Sequence, residues 1–170
     1  MRRIFRLLPA VLLALPLTIH AGEKKPPPVS IRLLAEGQEQ EGTSFVTPVE
    51  LTVPQKKIFV RKVPVITERD IKAFLPFPGR DGMAGAYLRL DAHGTDKLEQ
   101  FTTSDRGKIA VIMVNGRVAA ALSVDRRVTD GILFIPGGIL PGEIGLMQKK
   151  YPVLGRESEF GKKPPKATAQ

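Results

Sequence analysis

The stretch Lys108-Ile109-Ala110-Val111-Ile112-Met113-Val114-Asn115-Gly116-Arg117-Val118-Ala119-Ala120-Ala121-Leu122-Ser123-Val124 decides the fold. Two apolar runs flank Asn-Gly, the dipeptide that most cheaply supplies the two positive φ angles of a tight hairpin turn. Residues 108–114 and 117–124 are therefore expected to pair as antiparallel strands. On the N-terminal side, residues 84–90 alternate, with Ala86, Leu88 and Leu90 on one face and Tyr87 and Arg89 on the other. That is the period of a half-buried strand. Between these strands, residues 95–102 place Leu98 and Phe101 at helical spacing, and His93-Gly94 reads as a polar turn before the helix. On the C-terminal side, residues 131–135 (GILFI) read as a strand and residues 136–138 (PGG) as a tight turn. Residues 141–150 form a closing helix, with Pro141 in its first turn and Lys149-Lys150 at the negative end of its dipole. The order is β-α-β-β-β-α.

Further upstream, Val29, Ile31 and Leu33 alternate along a strand over residues 29–34. Residues 45–53 are rich in β-formers but contain Pro48, which suits an edge strand. Residues 57–65 give a third strand. Thr67 then stands where a helix N-cap belongs, with Asp70 at the acidic capping-box position. Ile71, Phe74 and Leu75 make an apolar stripe that Pro76 and Pro78 end, so a short helix is expected, followed by a loop over residues 77–82. The fold class is α+β: a mixed, mostly antiparallel sheet with two short helices packed on one face, a β-α-β-β-β-α core plus N-terminal strands. The content of 16 Gly and 15 Pro suits short elements joined by many turns.

At the N-terminus, Arg2, Arg3 and Arg6 precede an apolar run over residues 7–19, followed by the small residues Ala21 and Gly22. The run is too short for a membrane-spanning helix, which needs about 20 apolar residues. This is the pattern of a signal peptide over residues 1–21, with cleavage expected after Ala21 and delivery to the periplasm or the exterior of a bacterium. Loss of its three arginines lowers the formal charge from +9 to +6. Residues 22–28 form a Pro/Lys-rich linker and residues 153–170 a basic flexible tail. Between them, residues 29–83 hold the N-terminal strands and short helix, and residues 84–152 an α+β domain. No segment after the leader is long and apolar enough to span a bilayer.

The chemistry is sparse. The absence of Cys excludes disulfides, thiol nucleophiles and Cys-ligated zinc. Outside the leader His93 is the sole histidine and reads as an exposed loop residue. Asp91 with Asp96, and Asp125 with Asp130, flank turns without the ligand density of a calcium loop, and read as caps and turn formers. Ser44, Ser104, Ser123 and Ser158 lie in no nucleophile-elbow sequence. The glycine-rich run over residues 135–142 lacks a Gly-Lys-Ser/Thr ending, and Pro136 and Pro141 remove two amide donors that phosphate would need. No catalytic, metal or cofactor site is expected, and no cofactor. The positive charge lacks the interleaved aromatics of a nucleic-acid surface, so its counterparts are protein or an anionic envelope surface.

From Tyr87 to Tyr151 the chain resembles the periplasmic head subdomain of SecD/SecDF, the membrane subunits that assist protein export. The resemblance rests on Leu88-Arg89-Leu90-Asp91, Gly94, Lys97 and Phe101-Thr102, then Gly107-Lys108 and the strand to Val114, then Asn115-Gly116-Arg117-Val118. Upstream, Ile66-Thr67-Glu68-Arg69-Asp70-Ile71 looks like the helix preceding the same family strand. The sequence departs from the family in placing Leu122 where a proline is usual, and Glu143-Ile144 where Glu-Ala is usual. The resemblance implies an exported, non-enzymatic domain that contacts unfolded or translocating polypeptide. The alternative is an accessory subunit docking on a larger envelope complex. Two routes to a client stand out: strand addition at residues 45–53, or apolar contact through Phe74-Leu75-Pro76-Phe77.

Overall fold

Val114 and Arg117 face each other across the Asn-Gly turn, in which Asn115 and Gly116 take φ angles of 49° and 80°. The turn joins β7 (Ile109–Val114) to β8 (Arg117–Ser123) in the antiparallel hairpin that the sequence predicts. The computed structural model describes residues 29–52, 55–79 and 82–159; residues 1–21, read as a signal peptide, residues 22–28, read as a linker, and residues 160–170 of the tail expected over 153–170 lie outside the described residues. β1 (Ile31–Gly37) pairs along the other side of β7, from Ile31 opposite Val114 to Ala35 opposite Ala110. β7 is buried on both faces: Ala110, Ile112 and Val114 enter one apolar cluster and Val111 a second. Burial on two sides is why its sequence is an unbroken apolar run rather than an alternating one. Beyond β1 lie β4 (Ile66–Thr67) and β3 (Gln55–Arg61), and β2 (Val46–Thr52) ends the sheet, giving the order β2-β3-β1-β7-β8 with β4 beside β1.

A second sheet has the order β5-β6-β9, from β5 (Ile71–Pro78), β6 (Ala84–Leu90) and β9 (Ile132–Ile139), antiparallel throughout. Its inward side chains Phe74, Leu88 and Ile135 share one core with Ile31, Leu33 and Ile112 of the larger sheet. α1 (Ala92–Ser104) adds Leu98 and Phe101 to that core, and α2 (Pro141–Lys150) adds Met147. Each such side chain contributes about 1.5–3 kcal/mol through burial. The α+β class and the order β6-α1-β7-β8-β9-α2 agree with the sequence reading, and the strands divide between two sheets instead of joining one.

Three local expectations are corrected. Residues 67–75 do not form a helix: Thr67–Asp70 is a turn and β5 follows. Asp70 Oδ2 accepts from Thr67 N and Oγ1 at 2.7 and 2.9 Å, so the capping-box residues close a turn instead of opening a helix. A bulge between Ile71 and Ala73 then brings Ile71 and Phe74 into the same core, imitating the i, i+3 spacing of a helix. Residues 136–138 are likewise not a tight turn, because β9 continues to Ile139. Finally, Gly94 lies inside α1, where an added Cβ would come within 2.9 Å of Asp70 Cβ; the helix starts against the 67–70 turn and only glycine fits.

Prolines mark the sheet edges. Phe74 N and O bond to Pro152 O and Leu154 N, so alternate residues of β5 turn their backbone groups away from β6. Pro76 and Pro78 fall in that outward set and withhold donors from the open side. On β2, Phe45 O accepts from Lys62 N, which puts Pro48 among the residues turned outward from β3. β9 meets β8 at Gly138, whose φ is +83° and where an added Cβ would lie 2.1 Å from Ala119 O. Gly138→Ala therefore combines left-handed strain with a backbone collision and is expected to cost about 3 kcal/mol or more. Gly116→Ala, equally left-handed at +80° but in open space, is expected to cost about 1 kcal/mol. Thermal denaturation of the two variants checks the ranking.

Burial works against charge on Asp70, but hydrogen bonds from Thr67 and Lys97 outweigh it and hold its pKa below the ordinary carboxylate value. The resulting stabilisation is complete above the unfolded-state pKa, about 3.9, and is lost as pH falls through the lowered folded value. Asp70→Asn should therefore melt below the parent at pH 7, with the gap narrowing under acid. A gap that stays constant from neutral pH down to acid contradicts this account.

Candidate functional site

The outward face of the small sheet carries an aromatic group that its core-facing side explains. With Ala86 and Leu88 inward on β6, Tyr87 must point outward, and the register sets it beside Phe134 of β9 and Leu75 of β5. Phe77 sits opposite Gly85. A Cβ on Gly85 would lie 2.2 Å from Phe77 Cζ, so glycine is what lets the ring lie across β6. The centroids of Phe77, Tyr87 and Phe134 are 5.1–5.7 Å apart, with Phe77 and Phe134 stacked 8° from parallel. Leu75, Tyr87 and Phe134 each retain about 40% of their surface in contact with solvent. Such aromatic pairs hold one another in place, worth about 0.5–1.5 kcal/mol per pair, while leaving a rigid apolar surface uncovered.

Tyr87 and Phe134 also line the mouth of a groove of about 670 Å³. One wall is the end of β8, Leu122 to Val124, and the other is the start of β9, Ile132 to Phe134. Its floor reaches the core at Leu33, Leu98, Phe101 and Ala110. The connection over residues 125–131 closes it, tied to α1 by Val128 N on Thr102 Oγ1 at 3.0 Å and by the Arg127–Glu99 ion pair. Arg126 is exposed on the rim.

A second, polar cleft is lined by Arg32, Glu68, Asp70, Asp91, His93 and Lys97. Asp70, Asp91 and Lys97 are engaged in holding the fold, whereas Glu68 Oε2 is buried without a hydrogen-bond partner. Asp91 caps α1 through Gly94 N at 2.7 Å, and Asp70 pairs with Lys97 Nζ at 3.1 Å. His93 is exposed in the first turn of α1. Tyr151 donates to the Glu68 carbonyl at 2.8 Å, and burial together with the Glu68 charge pushes its phenol well above its usual pKa.

The acidic residues read as caps divide accordingly. Asp91 caps α1 and Asp130 accepts from Ile132 N at 3.0 Å, whereas Asp96 and Asp125 lie exposed. Among the described residues no group of three or more His, Asp or Glu is placed to hold a metal. Ser104 bonds within α1 and Ser123 ends β8. Of the apolar patch expected at residues 74–77, Phe74 is fully buried, while Leu75 and Phe77 do reach the outer face. Sequence reasoning missed the partners of those two, Tyr87 and Phe134. The available signal was their shared outward parity once two neighbouring strands are aligned. It also missed Glu143, which is buried and receives Asn115 Nδ2 at 3.0 Å, Arg117 Nη2 at 2.9 Å and Leu140 N at 2.9 Å, anchoring the Asn-Gly turn to the start of α2.

No protein-family model matches the chain, and no curated protein matches it. Solved structures do. A chain from a study of the structure and function of SecDF, a membrane component that enhances protein export, superposes with a TM-score of 0.51 at 16% identity. That match covers 76% of this chain and 65% of the other, just under two thirds of its length. SecDF in its super-membrane-facing form gives a TM-score of 0.49 at 17% identity, over 77% of this chain and 20% of that one. Among the described residues no helix is long and apolar enough to cross a membrane. The fold is therefore similar to that found in a SecDF chain.

Proposed function

We propose that this chain is an exported, non-enzymatic domain that holds an apolar stretch of unfolded polypeptide against the outer face of its small sheet. The observation that carries this reading is the exposed cluster of Phe77, Tyr87 and Phe134, continuous with an apolar-floored groove. Rigid aromatic surfaces bind apolar side chains at small entropic cost, and the sequence of the bound segment matters little to them. The likeness to a chain of SecDF, which enhances protein export, supports an export setting. So does the arginine-led apolar leader, read as a signal peptide cut after Ala21. An unfolded client loses chain entropy on binding, so affinity in the micromolar range is expected.

The test titrates the full chain against a permanently unfolded, carboxymethylated protein and follows fluorescence anisotropy. Saturable binding is expected, weakened about tenfold or more in a Tyr87→Ala/Phe134→Ala double variant. The melting temperature should fall by several degrees, because the double variant also removes all three aromatic pairs, so binding is compared well below it, where circular dichroism shows both proteins folded. Absence of saturable binding up to about 100 μM, roughly −5.5 kcal/mol, overturns the proposal. Mass spectrometry of the exported product should find Gly22 as its first residue.

A further inference from the structure

We infer that the groove between β8 and β9 is a slot for one extended polypeptide strand, recognised through main-chain hydrogen bonds. The inference rests on the polypeptide-binding reading and specifies where and how the backbone of the client is held. Its basis is the parity of the two walls. Val124 N donates to Lys108 O at 2.9 Å, in register with Ala110–Leu122 and Ile109–Ser123, so even-numbered residues near the end of β8 bond to β7. Ala121 and Ser123 consequently turn their N–H and C=O groups away from β7. On the opposite wall, Leu90 N donates to Gly131 O at 2.8 Å, in register with Leu88–Leu133, so Ile132 and Phe134 turn away from β6. Ile132 N is occupied by the Asp130 carboxylate. Among the described residues no backbone or side-chain partner is found for the N–H of Ala121, Ser123 or Phe134.

The two edges touch at Ala119 and Gly138 and diverge toward Ser123 and Ile132, where the groove opens. Two unsatisfied strand edges across an apolar floor match the chemistry of an extended main chain. Its N–H and C=O groups would meet both walls, and an alternate side chain would drop toward Leu98 and Phe101. Other edges carry prolines at outward positions, Pro48 on β2 and Pro76 and Pro78 on β5. Pro136 of β9 falls beyond the open part of the slot, leaving Ile132 to Phe134 as edge without proline.

The test compares a synthetic peptide of about eight residues, alternating phenylalanine or valine with serine, with two versions of it that carry N-methyl groups on its odd or on its even residues. N-methylation keeps every side chain and removes the strand donors. Isothermal titration into the full chain is expected to show the parent peptide binding and both N-methyl registers weakened tenfold or more. Amide exchange at Ala121, Ser123 and Phe134 should slow on binding of the parent. The variant Ser123→Pro, which removes one slot donor not used by β7, should weaken the parent peptide severalfold at an unchanged melting temperature. Equal affinity of parent and N-methylated peptides, with no protection of those amides, overturns the slot and leaves binding on the aromatic face standing. Failure of the parent peptide to bind overturns the polypeptide reading and the slot with it.

Discussion

The architecture turns on one close approach, that of Gly138 to the Ala119 carbonyl. There the edge of one sheet is brought against the edge of the other at a distance that no side chain on residue 138 would permit. Without it the two sheets would share only their inner faces, and β8 and β9 would have no fixed separation. With it they form two arms of a wedge that meet at Ala119 and stand apart near Ser123, where the 125–131 connection spans them. Arg117 reinforces the closed end, since one guanidinium reaches both the Gly138 carbonyl at 2.8 Å and the buried Glu143 carboxylate at 2.9 Å. Glu143 in turn takes the Asn115 side chain and the Leu140 amide, which ties the hairpin turn and the β8 edge to the start of α2.

That arrangement separates structural charge from binding chemistry. Ion pairs and caps concentrate on the α1 side, where Asp70, Asp91 and Lys97 stitch the 67–70 turn to the helix. The aromatic face and the floor of the groove are apolar, with charge confined to the rim. A ligand selected by such a surface is selected for apolar side chains and a free main chain rather than for a particular charged group. Exposed rim charges add little in any case, because solvent and salt screen them.

How much of this was legible in the sequence follows from how local each signal is. The Asn-Gly turn, the alternation over residues 84–90 and the Pro141 helix start are decided within a few residues, and all three stand in the structure. Misreadings arose where a distant partner chooses between local options. Ile71, Phe74 and Leu75 fit a helix until β6 supplies a ladder and a bulge brings Ile71 and Phe74 into the same core. Prolines 76 and 78 look like helix terminators because an edge strand is invisible before the sheet order is known. Likewise Pro136-Gly137-Gly138 has turn composition, yet the glycine is demanded by Ala119, nineteen positions earlier in the chain. The candidate site suffered most, since Tyr87, Phe134 and Phe77 come from three strands and meet only through register.

The aromatic face and the slot need each other energetically. Main-chain hydrogen bonds gained from solvent are worth only about 0.5–1.5 kcal/mol each. Ordering each residue of an unfolded client costs about 1–2 kcal/mol, so a strand held by backbone bonds alone would scarcely bind. Apolar contact on Tyr87 and Phe134 alone would leave the client free to slide and rotate across a small patch. Tyr87 and Phe134 belong both to the aromatic cluster and to the lining of the groove, so a segment held in the proposed slot would lie against both. Binding of this kind would be weak and readily reversed, as the proposed hold on a passing chain requires.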